Sequence, residues 1–364
     1  MKIVVTGLRG IPGIQGGVES HCEALYPRIA DAGHEVIVVR RKKFIAWGHA
    51  VNIYKGVKIK DIDNVSSKGF EAFIHTFLAV IYAKRVGADI VHIHAIGPAL
   101  MVPFARLLGM KVLMTHHGPD YDRQKWGRLA KKILKLGERW GVKYANAVIV
   151  ISNHIKRLVE TEYPSQHAVY LIRNGFSLPN VKDECLSYTD HLGLTGKKFI
   201  LTVGRFVKEK GFDLLIDAYC RLSHHDVTLV IAGDADHEDG YSAFLKEKAR
   251  KAGVLLTGFV QKDKVAALCK ACTLFVLPSF HEGLPISLLE AMSTGADVLV
   301  SDIPANLEIG LGKEHYFKVG DVDDMAVNID RHLDNPSRVT YDMNLYDWDV
   351  IARETKAVYD SLLS

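Results

Sequence analysis

Two carboxylates, Glu282 and Glu290, stand eight positions apart in Pro278-Ser279-Phe280-His281-Glu282-Gly283-Leu284-Pro285 followed by Ile286-Ser287-Leu288-Leu289-Glu290-Ala291-Met292. The apolar run Leu274 to Leu277 reads as a strand, the Pro/Gly-punctuated run after it as a turn, and the rest as a helix. Glu282 therefore falls in the turn at the C-terminal end of a strand, where open α/β sheets bind ligands. Glu290 falls about two helical turns further on, facing roughly the same way. Fixed carboxylates accept hydrogen bonds from hydroxyl groups, so the pair suits a polyhydroxylated ligand. Spacing alone fits a solvated helix face as well.

A second set of strand ends carries groups that suit a phosphorylated ligand. In Leu201-Thr202-Val203-Gly204-Arg205-Phe206-Val207-Lys208-Glu209-Lys210-Gly211, a strand runs into a basic turn. Arg205 offers a planar fork of donors and Lys210 a compact charge, a combination that can grip a diphosphate. Gly233, which closes the strand of Ile231-Ala232, leaves room for a ligand, and Thr257-Gly258-Phe259-Val260 offers a platform for a nucleobase. A solvated basic loop is the plainer reading of Arg205 and Lys210 taken alone.

The first turn of the chain is rich in glycine, Gly7 to Gly17, and leads into a helix that begins near Val18. Free N–H groups at such a helix start suit a phosphate. No Gly-Lys-Ser/Thr follows, which excludes a Walker loop. The next strand ends in Val39-Arg40-Arg41-Lys42-Lys43 with no acidic residue for a ribose hydroxyl, which argues against NAD and leaves NADP, and so a reductase, as an alternative. Of the histidines, His92 and His94 alternate on one strand, and His116 and His117 close the next. Nothing is spaced to complete a metal site with them, so no metal is expected. His117, ahead of Gly118 at a strand end, is the best functional candidate of the four.

These groups need strands and helices to hold them. Apolar runs at 2–6, 35–39, 89–93, 111–115, 147–151 and 168–172, then at 199–203, 227–232, 254–256, 274–277 and 297–300, alternate with helical stretches. Continuous Val/Ile/Leu runs argue for parallel sheets covered on both faces, and two series argue for two Rossmann-like domains. The expected division is 1–185, 186–342 and a terminal helix at 343–364, with Leu178-Pro179-Asn180 opening the linker. With 364 residues the chain can bury two full cores. No apolar run approaches about 18 residues, the opening residues read as a first strand, and the five cysteines form no framework, so a cytoplasmic location is expected.

Charge divides the chain. Residues 1–185 hold 27 Lys+Arg against 15 Asp+Glu, net +12, and the remainder holds 19 against 27, net −8. The basic half points to an anionic partner or surface. Within it, 124–143 places Trp126, Leu129, Ile133, Leu136 and Trp140 on one helical stripe among seven basic residues. Such a helix either packs its stripe on the sheet or lies on an anionic membrane, which would make the protein peripheral at the inner face of the cell membrane. No nucleic-acid reading motif is present, and none is expected as a partner.

Five motifs in order, the Gly16-Gly17 turn, Thr115-His116-His117-Gly118, Arg173-Asn174-Gly175, Gly204-Arg205 with Lys210-Gly211, and Glu282 to Glu290, resemble those of family-4 glycosyltransferases across nearly the full chain. The opening Gly-Leu-Arg-Gly-Ile-Pro with Gly-Gly-Val-Glu is similar to bacterial rhamnosyltransferase-type members that build surface polysaccharides, lipopolysaccharide among them. The resemblance implies a GT-B fold, two Rossmann-like domains with parallel sheets facing a central cleft, and a retaining hexosyltransferase-type activity moving a sugar from a nucleotide-sugar donor to a glycan or lipid-linked acceptor. It implies catalytic roles for His117, Arg205, Lys210 and Glu282, donor contacts from Gly16, Gly17, Asn174, Gly204, Gly233, Phe259, Val260, Gly283, Leu284 and Glu290, and an acceptor-side role for Asp120. Neither cofactor nor metal is expected, the nucleotide-sugar being a substrate. A hydrolysing nucleotide-sugar epimerase of the same fold and a non-catalytic sugar-nucleotide-binding protein are the alternatives. The run Phe206-Val207-Lys208-Glu209 departs from the family's more polar turn, but Arg205 and Lys210 remain.

Overall fold

The computed structural model describes residues 1–44, 51–63, 71–122, 126–164, 167–177, 183–236 and 238–364. Contacts divide the chain into two compact units, one of Met1–Gly175 with Leu345–Ser364 and one of Phe176–Asn344. The stretch Leu178-Pro179-Asn180, expected to open the linker, lies outside the described residues.

Unit 1 carries β1 (Lys2–Thr6), α1 (Gly17–Asp31), β2 (Glu35–Arg41), β3 (Ile53–Tyr54), β4 (Val57–Ile62), α2 (Glu71–Arg85), β5 (Ile90–His94), α3 (Val102–Leu107), β6 (Lys111–His116), α4 (Arg128–Tyr144), β7 (Ala147–Val150), α5 (Asn153–Glu162) and β8 (Val169–Leu171). Its sheet runs β3-β4-β2-β1-β5-β6-β7-β8, parallel except for the β3/β4 pair. Ile3, Val5, Ile90, Leu113 and Ile149 form the middle of its core. Each is a β-branched or branched aliphatic side chain in a run covered by helices, which is why these strands read as unbroken apolar segments.

Unit 2 carries α6 (Asp183–His191), β9 (Phe199–Val203), α7 (Phe212–Tyr219), β10 (Thr228–Ala232), α8 (Gly240–Lys251), β11 (Leu255–Gly258), α9 (Lys262–Ala271), β12 (Leu274–Leu277), α10 (Ile286–Ser293), β13 (Val298–Ser301), α11 (Pro304–Leu307), β14 (Tyr316–Phe317) and α12 (Val322–Asp334). Its sheet is wholly parallel in the order β11-β10-β9-β12-β13-β14. The switch in strand order lies at β9/β12, where chain order reverses and where an open α/β sheet leaves room for a ligand. The last helix, α13 (Trp348–Leu363), belongs to unit 1, where it packs on α1 and its Trp348 ring meets His21 edge-on at 5.3 Å.

Among the described residues three strands were not legible as apolar runs. β4 alternates Val57-Lys58-Ile59-Lys60-Asp61-Ile62 next to the sheet edge, where one face is left open, β3 covers only its end, and β14 is two residues long. The helix expected at 124–143 begins at Arg128; Gln124 and Lys125 lie outside the described residues.

The face of α4 that packs is not the apolar stripe. The buried residues are Gly137, Glu138, Gly141 and Val142. A Cβ at Gly137 would lie 2.2 Å from the Ile96 carbonyl, and one at Gly141 2.4 Å from Met114 Sδ, so only glycines permit this approach. Leu129, Leu136, Trp140 and Tyr144 are instead exposed, Leu129 at 72%. Of the two readings of the stripe, packing on the sheet does not hold for Leu129, Leu136 and Trp140, while Trp126 and Ile133 are half-buried.

Candidate functional site

In unit 2 the loops after β9 and β12 are fastened to each other. Phe280 donates its backbone N–H to the Glu209 carbonyl at 2.8 Å. Gly211 has φ +65°, and a Cβ there would sit 2.4 Å from the Pro278 carbonyl oxygen, so the turn admits only glycine. The two loops thereby bring Lys210 and Glu282, 72 residues apart in sequence, into an ion pair of 2.6 Å. Ser279 Oγ donates to the same Glu282 oxygen at 2.6 Å. Beneath it, Ser301 Oγ donates to the Ser279 carbonyl at 2.5 Å, and Asn306 donates to the Ser301 carbonyl at 2.9 Å. Burial raises the affinity of Glu282 for its proton, but the Lys210 charge and the Lys210 and Ser279 hydrogen bonds outweigh it and hold the carboxyl below its usual range. The Ser279, Ser301 and Asn306 props escaped the sequence reading, because hydroxyls and amides in turns are common and only the fold brings them together.

The other expected residues of unit 2 take their places along the same strand ends. Arg205 reaches Asp236 with Nη1 2.7 Å from the carboxylate and does not meet Lys210's partner. The Gly204 N–H donates to the Ala232 carbonyl at 3.0 Å, and a Cβ on Gly204 would lie 3.3 Å from Lys210 Cε. The Gly233 N–H donates to the Gly258 carbonyl at 2.9 Å, which ties the ends of β10 and β11, and the Phe259 ring that follows is 54% exposed. Val260 is half-buried. Gly283 and buried Leu284 lead into α10, and Glu290 lies half-buried on it. Burial pushes the Glu290 carboxyl up to about 7, against a smaller opposing pull from Lys262. The two glutamates thus have opposite electrostatics: one is held ionised by a cation, the other is poised near neutrality.

In unit 1 the glycine turn is held by Arg9, whose Nε stands 3.1 Å from Glu19 Oε1 while its backbone N–H donates to the same oxygen at 3.0 Å. Gly16, with φ +153°, leaves no room for a Cβ beside these two side chains, and Gly17 opens α1. The basic cluster ending β2 is matched by carboxylates. Arg40 binds Asp61 at 2.7 and 3.1 Å, Lys42 binds Asp63 at 2.9 Å, and Arg41 and Lys43 both face Glu71.

The histidines separate into two networks. His116 Nε2 stands 2.7 Å from buried Glu138, which also accepts from Tyr163 at 2.7 Å. Glu138 lies on α4 and was not singled out from sequence, since it reads there as one more charged helix residue. His94 Nδ1 stands 2.8 Å from His117 Nε2, and His21 Nδ1 stands 2.9 Å from Asn174 Oδ1. Ligand atoms of His21, His94 and His117 lie within 4.8 Å of one another, but both ring nitrogens of His94 already have hydrogen-bond partners, Tyr26 and His117. Asp120 is half-buried in the turn after β6, its N–H donating to the Gly118 carbonyl at 3.0 Å. No helix among the described residues is long and apolar enough to cross a membrane.

Two parallel-sheet Rossmann-like units, with charged residues at the strand ends of the second, define a GT-B fold. Solved structures agree on the fold. The sucrose-phosphate synthase of Thermosynechococcus elongatus aligns with a TM-score of 0.83 at 19% identity, covering 100% of this chain and 99% of its own. Anabaena HepE, in complex with UDP-glucose, aligns with a TM-score of 0.79 at 18% identity, covering 99% and 100%. Residues 15–178 match the family described as Glycosyltransferase Family 4, and residues 189–345 match Glycosyl transferases group 1. An uncharacterized glycosyltransferase of Methanocaldococcus jannaschii is 27% identical over 99% of this chain and 98% of its own length. Both units are thus matched, in order along the chain, by glycosyltransferase family models, and the fold is that of GT-B glycosyltransferases.

Proposed function

We propose that the protein moves a hexosyl group from a nucleoside diphosphate sugar to a hydroxyl of a glycan or lipid-linked acceptor, with retention of configuration, in the building of cell-surface polysaccharide. The observation that carries this reading is the Lys210–Glu282 pair, with Arg205, at the C-terminal ends of β9 and β10/β12. Lys210 and Arg205 would exchange their carboxylate partners for the diphosphate oxygens. Glu282, held ionised, would accept hydrogen bonds from the sugar hydroxyls, with the N–H groups of Gly283 and Leu284 beside it. Glu290 would accept from the ribose, and Gly204, Gly233, Phe259 and Val260 would frame the nucleoside. From unit 1, Gly16, Gly17, Asn174 and His117 would serve the donor and Asp120 the acceptor.

The chemistry follows from where charge develops. The bond between the anomeric carbon and the diphosphate oxygen breaks, and its electron pair stays on the phosphate. Two cations fixed there stabilise the leaving group without requiring a metal. The acceptor oxygen adds to the same face, and its proton passes to the departing phosphate oxygen. HepE supports a sugar-nucleotide donor by analogy, having been solved with UDP-glucose. The direct test is transfer with purified protein in the presence of a chelator, followed by NMR of the product's anomeric proton. Retained configuration supports the reading; inverted configuration, or release of free nucleotide with an epimerised sugar and no acceptor, overturns it.

The lipid-linked acceptor draws on α4. Its exposed Leu129, Leu136 and Trp140 stand among Lys132, Lys135, Arg139 and Lys143, which suits a helix lying on an anionic bilayer. Each basic residue near such a surface contributes about 1 kcal/mol. Co-flotation with phosphatidylglycerol vesicles, lost when the three apolar residues become serine, is the expected result.

A further inference from the structure

A line of hydrogen bonds runs through the buried interior of unit 1 and ends on His117. Thr115 Oγ1 stands 2.7 Å from His92 Nε2. His92 Nδ1 stands 2.6 Å from the Tyr359 hydroxyl and 2.9 Å from that of Tyr26. The Tyr26 hydroxyl reaches His94 Nε2 at 2.5 Å, and His94 Nδ1 meets His117 Nε2 at 2.8 Å. Thr115, His92, Tyr26, Tyr359 and His94 are all buried, and His117 alone is half-exposed to what lies beyond. Burial, helped by neighbouring imidazoles, lowers the three histidines well below their ordinary range, so each is neutral at pH 7 and carries one ring proton.

We propose that this line is polarised in one direction and holds His117 as its Nδ1–H tautomer, with Thr115, His92, Tyr26 and His94 as positioning residues. The direction follows from proton counting across the network. Among the described residues the buried Thr115 hydroxyl has His92 Nε2 as its one partner, so its hydrogen goes there. His92 then keeps its own proton on Nδ1 and donates to the tyrosine oxygens. The Tyr359 hydroxyl passes its own hydrogen to the neighbouring Tyr26 oxygen. The opposite direction would turn the His92 Nε2–H onto Thr115 and strand the buried Thr115 hydrogen. Tyr26, accepting from His92, sends its hydrogen to His94 Nε2. His94 therefore donates from Nδ1 to His117 Nε2, and the His117 proton is left on Nδ1.

The consequence bears on the proposed site and rests on that reading of His117. A histidine fixed as Nδ1–H offers its ligand a donor and has no lone pair on that nitrogen. It would recognise an oxygen of the bound sugar or phosphate and would not act as a general base through that atom. The C-terminal helix takes part, since Tyr359 of α13 supplies one of the two hydroxyls at His92.

Imidazole ¹⁵N NMR of the full chain tests the tautomer without any assay of transfer. The wild type should give His117 as one tautomer, protonated at Nδ1 and bare at Nε2, from pH 6 to 8. Nδ1 bare and Nε2 protonated in the wild type overturns the proposal. Tyr26→Phe and Thr115→Val should each convert the His117 signals to a mixture of tautomers, while Thr115→Ser, which keeps the hydroxyl, should leave them as in the wild type. An unchanged His117 tautomer in folded Tyr26→Phe also overturns it. Where transfer is measured alongside, Tyr26→Phe should lower kcat about tenfold with the acceptor KM unchanged. A tautomer as expected with no transfer under any condition would sink the functional reading and leave the relay standing.

Discussion

Replacing Lys210 with methionine keeps most of the side-chain volume and removes the cation that faces Glu282. The carboxylate it leaves behind keeps Ser279 as a donor, with side-chain exposure of 13%. Removing one partner of a fully buried pair costs about 3–5 kcal/mol, and an exposed pair contributes about 0–1 kcal/mol. Lys210 and Glu282 are 20% and 13% exposed, so the cost should fall between, at about 2 kcal/mol. For a unit of this size that is a fall in Tm of roughly 4–8 °C. The sign with pH follows from the lowered Glu282 carboxyl, whose contribution is present above its unfolded value and is lost as pH falls through the folded one. The variant's deficit against wild type should therefore be full at pH 7 and shrink toward pH 3. Adding Glu282→Gln to Lys210→Met should return part of the loss, because it removes the stranded charge. Calorimetric unfolding of the wild type, both singles and the double gives the coupling directly. Strictly additive singles, or a deficit that does not change with pH, would refute the reasoning.

Two further outcomes follow from buried groups. Glu290, pushed up to about 7 by burial, ionises only as pH rises through that value, and in the proposed function it is the ionised form that accepts ribose hydroxyls. Nucleotide affinity measured by calorimetry should therefore strengthen between pH 6 and pH 8, by up to about tenfold, and Glu290→Gln should flatten the profile. His332, buried on α12, has Nδ1 2.7 Å from Asp297 and Nε2 2.9 Å from the Glu314 carbonyl. Burial opposes its charge, but those bonds and the Asp297 charge prevail and raise it above its ordinary value. Its contribution is complete below the unfolded value near 6.5 and is lost as pH rises through the folded one, so unfolding at pH 6 and pH 9 should differ less in His332→Gln than in the wild type.

The parallel strands were legible because a strand covered on both faces must be apolar along its whole length, as Ile3-Val4-Val5 and Leu274-Phe275-Val276-Leu277 are. The same rule hid β4, which has one open face and alternates. Lys210 and Glu282 were legible as candidates because each sits at a strand end, yet their direct contact needed the fold. Periodicity placed Leu129, Leu136 and Trp140 on one side of α4 but did not reveal which side packs, since close approach selects small residues and Gly137 and Gly141 carry no hydrophobic signal. The line from Thr115 to His117 was invisible for a different reason. Its members include Tyr26 on α1 and Tyr359 on α13, at opposite ends of the chain, and nothing local marks a tyrosine as a link between two histidines.

The most direct test of the central claim is calorimetric titration of the chain with UDP, GDP, dTDP, ADP and NADP in the presence of a chelator. The account predicts tight binding of one nucleoside diphosphate, at least tenfold weaker in Lys210→Ala. Binding of NADP with none of the diphosphates, or diphosphate binding unchanged by Lys210→Ala in a folded variant, would contradict it.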